Sequence, residues 1–469
     1  MISTILLLRI LTPEDFGISA LATMIMFLFM SLCELGIRQY ITKTQDISAD
    51  EVNSAWSLQI IINLLITSSL FLFAPIIADI LDNNNLVDVL RVLAFIPIIA
   101  ALNNPGVILL EKMLDYAQTS KISIGARLIS APLTIYIAVV YKTYWALVIG
   151  QLLNVAVVCL FSYLFIQHRP QFRCKGFAHI FSMTKWLLIN SFTGFIRAKA
   201  ENFIINIKFG VEGVGLYDIS KEFSHLPLTD IIGPASAPLL AGVSSIKTGI
   251  VDVYRAILKY LYIAFFFIVP SIVGIFMIGD LFVDVVMGEK WLKAIPLFKT
   301  VSLLMIVFTL YTCCRLIMFI KDDLKIMSIL DILSIVMMIV LLLPEYVANI
   351  EGLIIGRVLI GGGFGLVLLG VLHFRYKLNI TPIFTLLVVL LIMSIPFAYV
   401  IHVLKVYMID INNILTLVVS IFIGALVYFI TILLCLDKLA KVNDYFLFTK
   451  EFVDNFIYTL MTKFKVSKV

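Results

Sequence analysis

Residues Glu201–Pro227, ENFIINIKFGVEGVGLYDISKEFSHLP, decide how this chain is read. They set Glu201, Lys208, Glu212, Asp218, Lys221 and Glu222 among runs otherwise apolar enough to lie in a lipid bilayer. A charge at the bilayer centre costs roughly 2.5–3.5 kcal/mol on insertion scales, so such side chains face a partner or a water-filled path and mark transport routes. The row also echoes an earlier one. Glu14-Asp-Phe-Gly-Ile-Ser-Ala-Leu-Ala22 aligns without gaps on Glu212-Gly-Val-Gly-Leu-Tyr-Asp-Ile-Ser220.

The rest of the chain supplies the membrane. Hydrophobic residues make up 61% of the 469, against roughly 45–50% in a soluble domain, and the mean hydropathy is +1.07. Apolar runs near 1–11, 16–41, 55–80, 89–111, 122–141, 144–167, 184–208, 213–241, 254–279, 294–320, 326–343, 350–373, 382–404 and 411–436 predict about 14 transmembrane helices. The first run is only about eleven residues, roughly 16 Å of helix, and reads as the outer half of a truncated first helix whose start is missing or misassigned. The net charge of +5 contains no basic block suited to nucleic acid. The six cysteines show no CxxC pair and no metal spacing; those in apolar spans, Cys313 and Cys314 among them, read as small hydrophobes.

Lys and Arg alternate between connections. Arg38, Lys43, Lys112, Lys121, Arg169, Arg173, Lys247, Arg315, Lys321, Arg375 and the lysine-rich tail fall on one side, which is therefore predicted to be cytoplasmic, with the C-terminus. The echoed segments lie six spans apart. An even offset preserves orientation, so the echo predicts a parallel repeat about an axis along the membrane normal. The expected organisation is an N-terminal six-helix lobe (1–168), a cytoplasmic linker (169–185), a second six-helix lobe (186–378), two extra helices (379–436) and a cytoplasmic tail (437–469). Such lobes would enclose a cavity and alternate in access between the two sides.

Several motifs resemble one family. Leu8-Arg-Ile-Leu-Thr-Pro-Glu-Asp-Phe-Gly17, Glu34-Leu-Gly-Ile37, Arg197-Ala-Lys-Ala-Glu-Asn-Phe-Ile-Ile205, Gly213-Val-Gly-Leu-Tyr217, Leu226-Pro227 with Pro234 and Pro238, and Gly288-Glu-Lys-Trp291 are similar to signatures of the Wzx-type polysaccharide flippases of the MOP superfamily. The similarity runs from residue 1 to about 320. Two departures stand out: the short first helix, and Glu201 where Asp is usual. The resemblance implies a MOP/MATE-like, all-α integral membrane protein of the bacterial inner membrane. It implies a carrier of undecaprenyl-diphosphate-linked oligosaccharide units for O-antigen, capsule or exopolysaccharide assembly. Lipid-linked oligosaccharide, membrane lipid and the polymerase and export machinery of the pathway are the implied partners.

The residues can be asked whether they suit that cargo. A lipid-linked sugar diphosphate is anionic, and Arg or Lys in a wet path would hold it. The substrate-binding candidates are Arg197, Lys199, Lys221, Arg127 and Arg357. Each has a plainer reading. Arg197 and Glu201, at i and i+4, would neutralise each other. Lys221 and Asp218, at i and i+3, could do the same, and Lys199 could pair with another helix. Arg127 and Arg357 lie near enough to helix ends to snorkel. Glu201 and Asp331 are the candidate coupling acids for a proton or sodium gradient; no cofactor is expected. Gly361-Gly-Gly-Phe-Gly365 reads as a close helix contact. Asn103-Asn-Pro-Gly106 reads as a kink, with freed carbonyls open to an ion or sugar hydroxyl as the alternative. Tyr217, Trp145, Trp186 and Trp291 read as an interfacial aromatic belt. No nucleophile–base or carboxylate pair stands out, so no enzyme is expected. A multidrug cation exporter of the same superfamily is the alternative within transport. A glycan polymerase or ligase would need a sizeable outer loop that this chain lacks, and a membrane scaffold would not need buried charges.

Overall fold

The computed structural model describes residues 2–32, 41, 47–113, 115–173, 177–233, 250–321, 323–342, 349–408 and 412–440. The Glu34–Ile37 motif, Pro234, Pro238 and the tail from 441 lie outside them. Among the described residues the chain is helical. The first helices are α1 (Ile2–Ile10), α2 (Pro13–Leu32), α3 (Ala49–Ile80), α4 (Asn85–Leu93), α5 (Phe95–Ala101), α6 (Gly106–Lys112), α7 (Tyr116–Tyr141) and α8 (Trp145–Phe165). There follow α9 (Phe177–Ser224), α10 (Ile250–Phe282), α11 (Ile295–Ser302), α12 (Leu304–Ile320), α13 (Leu324–Leu342), α14 (Ile350–Phe374), α15 (Thr381–Met393), α16 (Ile395–Tyr407) and α17 (Asn413–Ala440). Nine segments of the described residues are long and apolar enough to cross a membrane, or ten if the bent pair Asn85–Ala101 and Gly106–Lys112 counts as one span. Large apolar side chains such as Leu72, Ile80, Leu128, Leu359 and Phe422 stand more than two-thirds exposed on these helices, which only lipid accommodates at such density. The protein is a multi-pass membrane protein. The chain forms two compact units, Met1–Asp218 and Ile219–Val469.

In the first unit, local chemistry sets where helices begin. Thr12 and Asp15 cap α2 reciprocally: Thr12 N donates to Asp15 Oδ2 at 2.9 Å and Asp15 N donates to Thr12 Oγ1 at 3.3 Å. Pro13 fits the first helical position because its missing N–H would be unpaired there anyway. The other oxygen of Asp15 accepts the Tyr144 N–H at 2.8 Å and so pins the start of α8. Ser48 and Glu51 cap α3 in the same reciprocal way. α7 and α8 form a hairpin turned at Lys142 (φ 50°). Ala126, Ser130, Thr134 and Ala138 present small groups every fourth residue, and a methyl on Gly150 would stand 2.7 Å from Thr134 Cγ2.

The fourth predicted span is broken, by 60° between Ala101 and Gly106. The carbonyls released there are occupied by protein donors: Tyr163 Oη donates to Leu102 O at 2.8 Å and Trp56 Nε1 donates to Asn103 O at 3.1 Å. Asn104, buried, donates to His168 O at 2.7 Å and accepts from Gly106 N at 2.9 Å. The Asn-Asn-Pro-Gly segment is thus a kink closed by donors from other helices, and the alternative of an ion or sugar at those two carbonyls is set aside.

The predicted spans seven and eight fall on the two arms of α9, which turns at Gly210 (φ 66°); among the described residues α9 is not one of the segments long and apolar enough to cross a membrane. On a straight helix Asn202 and Asp218 would be about 24 Å apart; instead Asn202 Nδ2 donates to Asp218 Oδ1 at 3.0 Å. The arms therefore fold into a hairpin. The echoed segments meet directly. A methyl on Gly17 would stand 2.8 Å from Val211 C, and one on Gly215 2.9 Å from both Pro13 C and Gly17 N. In the repeat alignment Gly17 matches Gly215 and Pro13 matches Val211, so the contact is reciprocal.

The second unit is organised around α10. Leu258, Phe265, Ile268 and Val269 share one core with Met305, Cys313, Cys314 and Ile317 of α12, Phe364 and Leu368 of α14, Leu386 and Leu390 of α15, Phe397 of α16 and Tyr428 of α17. Pro227 opens a π-helical turn, Pro227–Ile232, at the end of α9. Lys405 clasps Asp280 at 2.8 Å and Met277 O at 3.0 Å, which anchors α16 against α10. Two expectations need correcting here. Trp291 and Tyr217 are wholly buried: they are packing residues inside the protein, not members of an interfacial belt. Trp145 is half-buried, and the Trp186 side chain lies outside the described residues.

Candidate functional site

Lys199 lies on the first arm of α9, and Asp218 on the second. The Gly210 turn brings Lys199 Nζ to 3.8 Å from Asp218 Oδ1, both side chains about one-third exposed. Asn202, buried beneath them, donates to the same carboxylate oxygen. Of the plainer readings, pairing with a second helical segment is the one observed for Lys199. At this exposure the pair contributes about 0–1 kcal/mol, so the ammonium is free to exchange partners. Glu201 is 2% exposed, on the buried face of the same arm. Arg197 belongs to that arm, with its side chain outside the described residues, so its expected pairing with Glu201 lies outside them too.

Lys221 is half-buried. Its ammonium sits 5.6 Å from the centre of the Phe308 ring, and His225 packs edge-on against the same ring at 5.3 Å. The ring's negative face stabilises the cation there. Arg357 is half-buried on α14, with its guanidinium against Gly361: a methyl on that glycine would lie 3.3 Å from Nη1 and 3.1 Å from Leu304 Cδ2. Gly361 therefore serves the close helix approach expected of it; Gly365 has open space around its missing side chain. Arg127 is exposed on α7, off the Ala126–Ser130–Thr134 stripe.

Asp331, 5% exposed on α13, accepts a hydrogen bond from Tyr311 Oη at 2.6 Å. Arg315 Nη1 in turn donates to Tyr311 Oη at 3.1 Å. The phenol thus links a guanidinium to a buried carboxylate through neighbouring helices. Tyr311, Phe308 and Asn202 were not singled out from sequence. Phe308 stands on a helix remote in the chain from Lys221, and an uncharged phenol or amide carries little signal in an apolar run.

Outside the spans, Arg375 donates to both oxygens of Asp323, at 2.8 and 3.3 Å, and Tyr376 Oη donates to one of them at 2.6 Å. These bonds hold the Asp323 carboxyl below the usual carboxylate range. Burial, then the hydrogen bond to Asp323, pushes Tyr376 up to about 12. Among the described residues no group of three His, Cys, Asp or Glu is placed to hold a metal.

The fold has close counterparts. The lipid II flippase MurJ, in an inward closed conformation, matches with a TM-score of 0.68 over 93% of this chain and 98% of its own, at 15% identity. An inward-facing multidrug resistance MATE family transporter of the MOP superfamily matches with a TM-score of 0.56 over 80% of this chain and 93% of its own, at 16% identity. The likeness to both is one of fold. In sequence, the lipopolysaccharide biosynthesis protein WzxC of Escherichia coli K12 is 23% identical over 304 residues. That match covers 62% of this chain and 60% of WzxC, so it spans about three-fifths of the relative's length. The family profile described as "Polysaccharide biosynthesis protein" matches residues 6–296, well over half of the chain. This chain belongs to that polysaccharide biosynthesis protein family.

Proposed function

We propose that this chain flips undecaprenyl-diphosphate-linked oligosaccharide units across the bacterial inner membrane, for O-antigen, capsule or exopolysaccharide assembly. The observation that carries the reading is a coincidence in one chain: a polysaccharide-biosynthesis profile over residues 6–296 and the fold of a lipid II flippase over 93% of its length. The chemistry is compatible with it. Arg357 is a half-buried cation on a helix apolar enough to cross a membrane, and Lys199 and Lys221 are half-buried cations on α9; a diphosphate needs such groups because it must leave bulk water to cross. With Arg197 and Arg127 they form the proposed cationic path. Alternating access by two six-helix lobes, 1–168 and 186–378, is the proposed cycle, with a proton or sodium gradient as driving force. Glu201 and Asp331, both nearly fully buried, are the proposed coupling acids. The chain acts as a transporter and not as an enzyme, with its C-terminus in the cytoplasm. The polymerase and export machinery of the pathway are its proposed partners.

Buried acids would also suit a multidrug cation exporter, and the MATE-like fold supports that second reading. Depletion of the protein separates the two. A flippase, once lost, leaves lipid-linked repeat units on the cytoplasmic face, scored by enzymatic labelling from either side of the membrane. If the units still reach the outer leaflet in a strain with no second flippase, the flippase reading is wrong.

A further inference from the structure

Gln151 and Asn154 are amides on one face of α8, three residues apart. They lie roughly 9 and 14 Å from the first residue of a helix about 31 Å long, Asn154 at its middle and Gln151 a turn nearer the start. Gln151 Nε2 donates to Ser19 Oγ at 3.2 Å, and its Oε1 accepts from Thr23 Oγ1 at 3.1 Å. Asn154 Oδ1 accepts from Ser130 Oγ at 3.1 Å. An amide offers two donors and two acceptors. Among the described residues Asn154 uses one acceptor site only; the residue is half-buried, and its amide nitrogen is not among the polar atoms sealed from the surface without a partner. Turning the amide over exchanges which atom is left, not the fact that one is left. Acyl chains offer such a group no partner, and leaving it bare in hydrocarbon is strongly unfavourable. Helix-to-helix adhesion alone would use these groups up on one another; here hydrogen-bonding capacity is left over at mid-depth.

The geometry points to a neutral subsite, Gln151 and Asn154 backed by Ser19, Thr23 and Ser130, that recognises hydroxyl groups of the glycan part of the cargo. Amides and hydroxyls both donate and accept, as sugar hydroxyls do, and among the described residues no charged side chain is bonded to any of the five. The division of labour is chemical: lysines and arginines hold the diphosphate, and this cluster reads the sugar. The inference rests on the flippase reading and assigns its specificity.

The test uses the full chain in nanodiscs and two probes, a short polyprenyl diphosphate and the same lipid carrying a neutral trisaccharide. Gln151→Met and Asn154→Leu keep side-chain volume and remove the polar atoms. The wild type binds both probes, the glycosylated one more tightly. The double variant loses about tenfold for the glycosylated probe, the worth of one or two neutral hydrogen bonds, and keeps its affinity for the bare lipid. An unchanged glycan preference overturns the subsite. An equal loss for both probes also overturns it, since that marks a structural role. A wild type that binds neither probe overturns the flippase reading itself.

Discussion

The reciprocal glycine contact between α2 and the second arm of α9 sets up a quantitative prediction. Gly17→Ala puts a methyl 2.8 Å from Val211 C and Val211 Cγ1, and Gly215→Ala puts one 2.9 Å from Pro13 C and Gly17 N. Carbon atoms pack at about 3.5–4.0 Å, so the helices must part by at least about 0.7 Å. Each methyl meets backbone, the carbonyls of Val211 and of Pro13 respectively, so turning the Val211 side chain away does not relieve the clash. A radial gap of 0.5–1 Å forfeits about a quarter to a half of each dispersion well along the seam. Phe16, Ile18, Val214, Leu216 and Tyr217 are buried on these two segments and would lose contact together. Overpacking of this kind costs about 1–3 kcal/mol, so each single variant is expected to lose about 2 kcal/mol. The double variant is more telling. One separation relieves both methyls, so the losses do not add: about 2–3 kcal/mol for the pair, a coupling of about 1–2 kcal/mol. Thermal unfolding of the four purified proteins in one detergent measures all corners of the cycle. Additive losses within about 0.5 kcal/mol, or single variants as stable as the wild type, would refute the shared seam.

Three further outcomes are expected. Tyr311→Phe removes a hydrogen bond to a buried carboxylate and lowers stability by about 1.5–3 kcal/mol, whereas Arg315→Lys costs less; equal and negligible losses in a thermal-shift assay would count against the Arg315–Tyr311–Asp331 chain. Lys199→Ala and Lys221→Ala each insert normally and reduce glycan export, read as surface polysaccharide per cell at matched membrane levels, and normal export by both would remove them from the path. Asp323 has its carboxyl held low in the folded protein, so its contribution is present above the unfolded carboxyl's pKa of about 3.9 and is lost as pH falls through the folded one. The connections carrying Asp323 and Arg375–Tyr376 should therefore resist protease alike at pH 8 and pH 5 and become susceptible only once the pH is taken below the unfolded carboxyl's value. Asp323→Asn reproduces the susceptibility at pH 7, and equal resistance in that variant would sink the clamp.

Much of the architecture was legible because lipid imposes one simple rule, that backbone groups be satisfied within each span. Apolar runs therefore mark helices almost directly: 122–141 and 350–373 correspond to α7 and α14 within a few residues at each end. What one-dimensional reading misses is how a span is interrupted and where its side chains point. Trp291 follows a glycine at φ 97°, a turn that carries the indole into the core, although its place at a span end suits an interfacial residue equally well. Asn103-Asn-Pro-Gly106 announces a break, but the donors that close it, Trp56 and Tyr163, come from other helices. Charges drew attention to Lys199, Glu201 and Asp331, since their cost in hydrocarbon is visible in composition alone. Uncharged groups did not, because Gln, Asn and Ser are as common at helix contacts as at ligand sites.

That asymmetry bears on how cargo would be told apart. A diphosphate is common to every lipid-linked glycan, so cations that bind it give affinity without choice among sugars. Discrimination has to come from groups that meet the hydroxyls, and a site built to hydrogen-bond a hydroxyl rejects an analogue lacking it because its own polar atoms are then left unpaired. Lys199 already has Asp218 and Asn202 beside it, which suits a contact exchanged in every cycle whatever the sugar. Asn154 keeps hydrogen-bonding capacity unused on a mostly apolar helix, which is costly unless something regularly fills it. If the proposed roles hold, exchanging the amides on α8 between relatives that carry different glycans should move glycan preference with them, while exchanging the α9 lysines should change the rate for all cargoes alike.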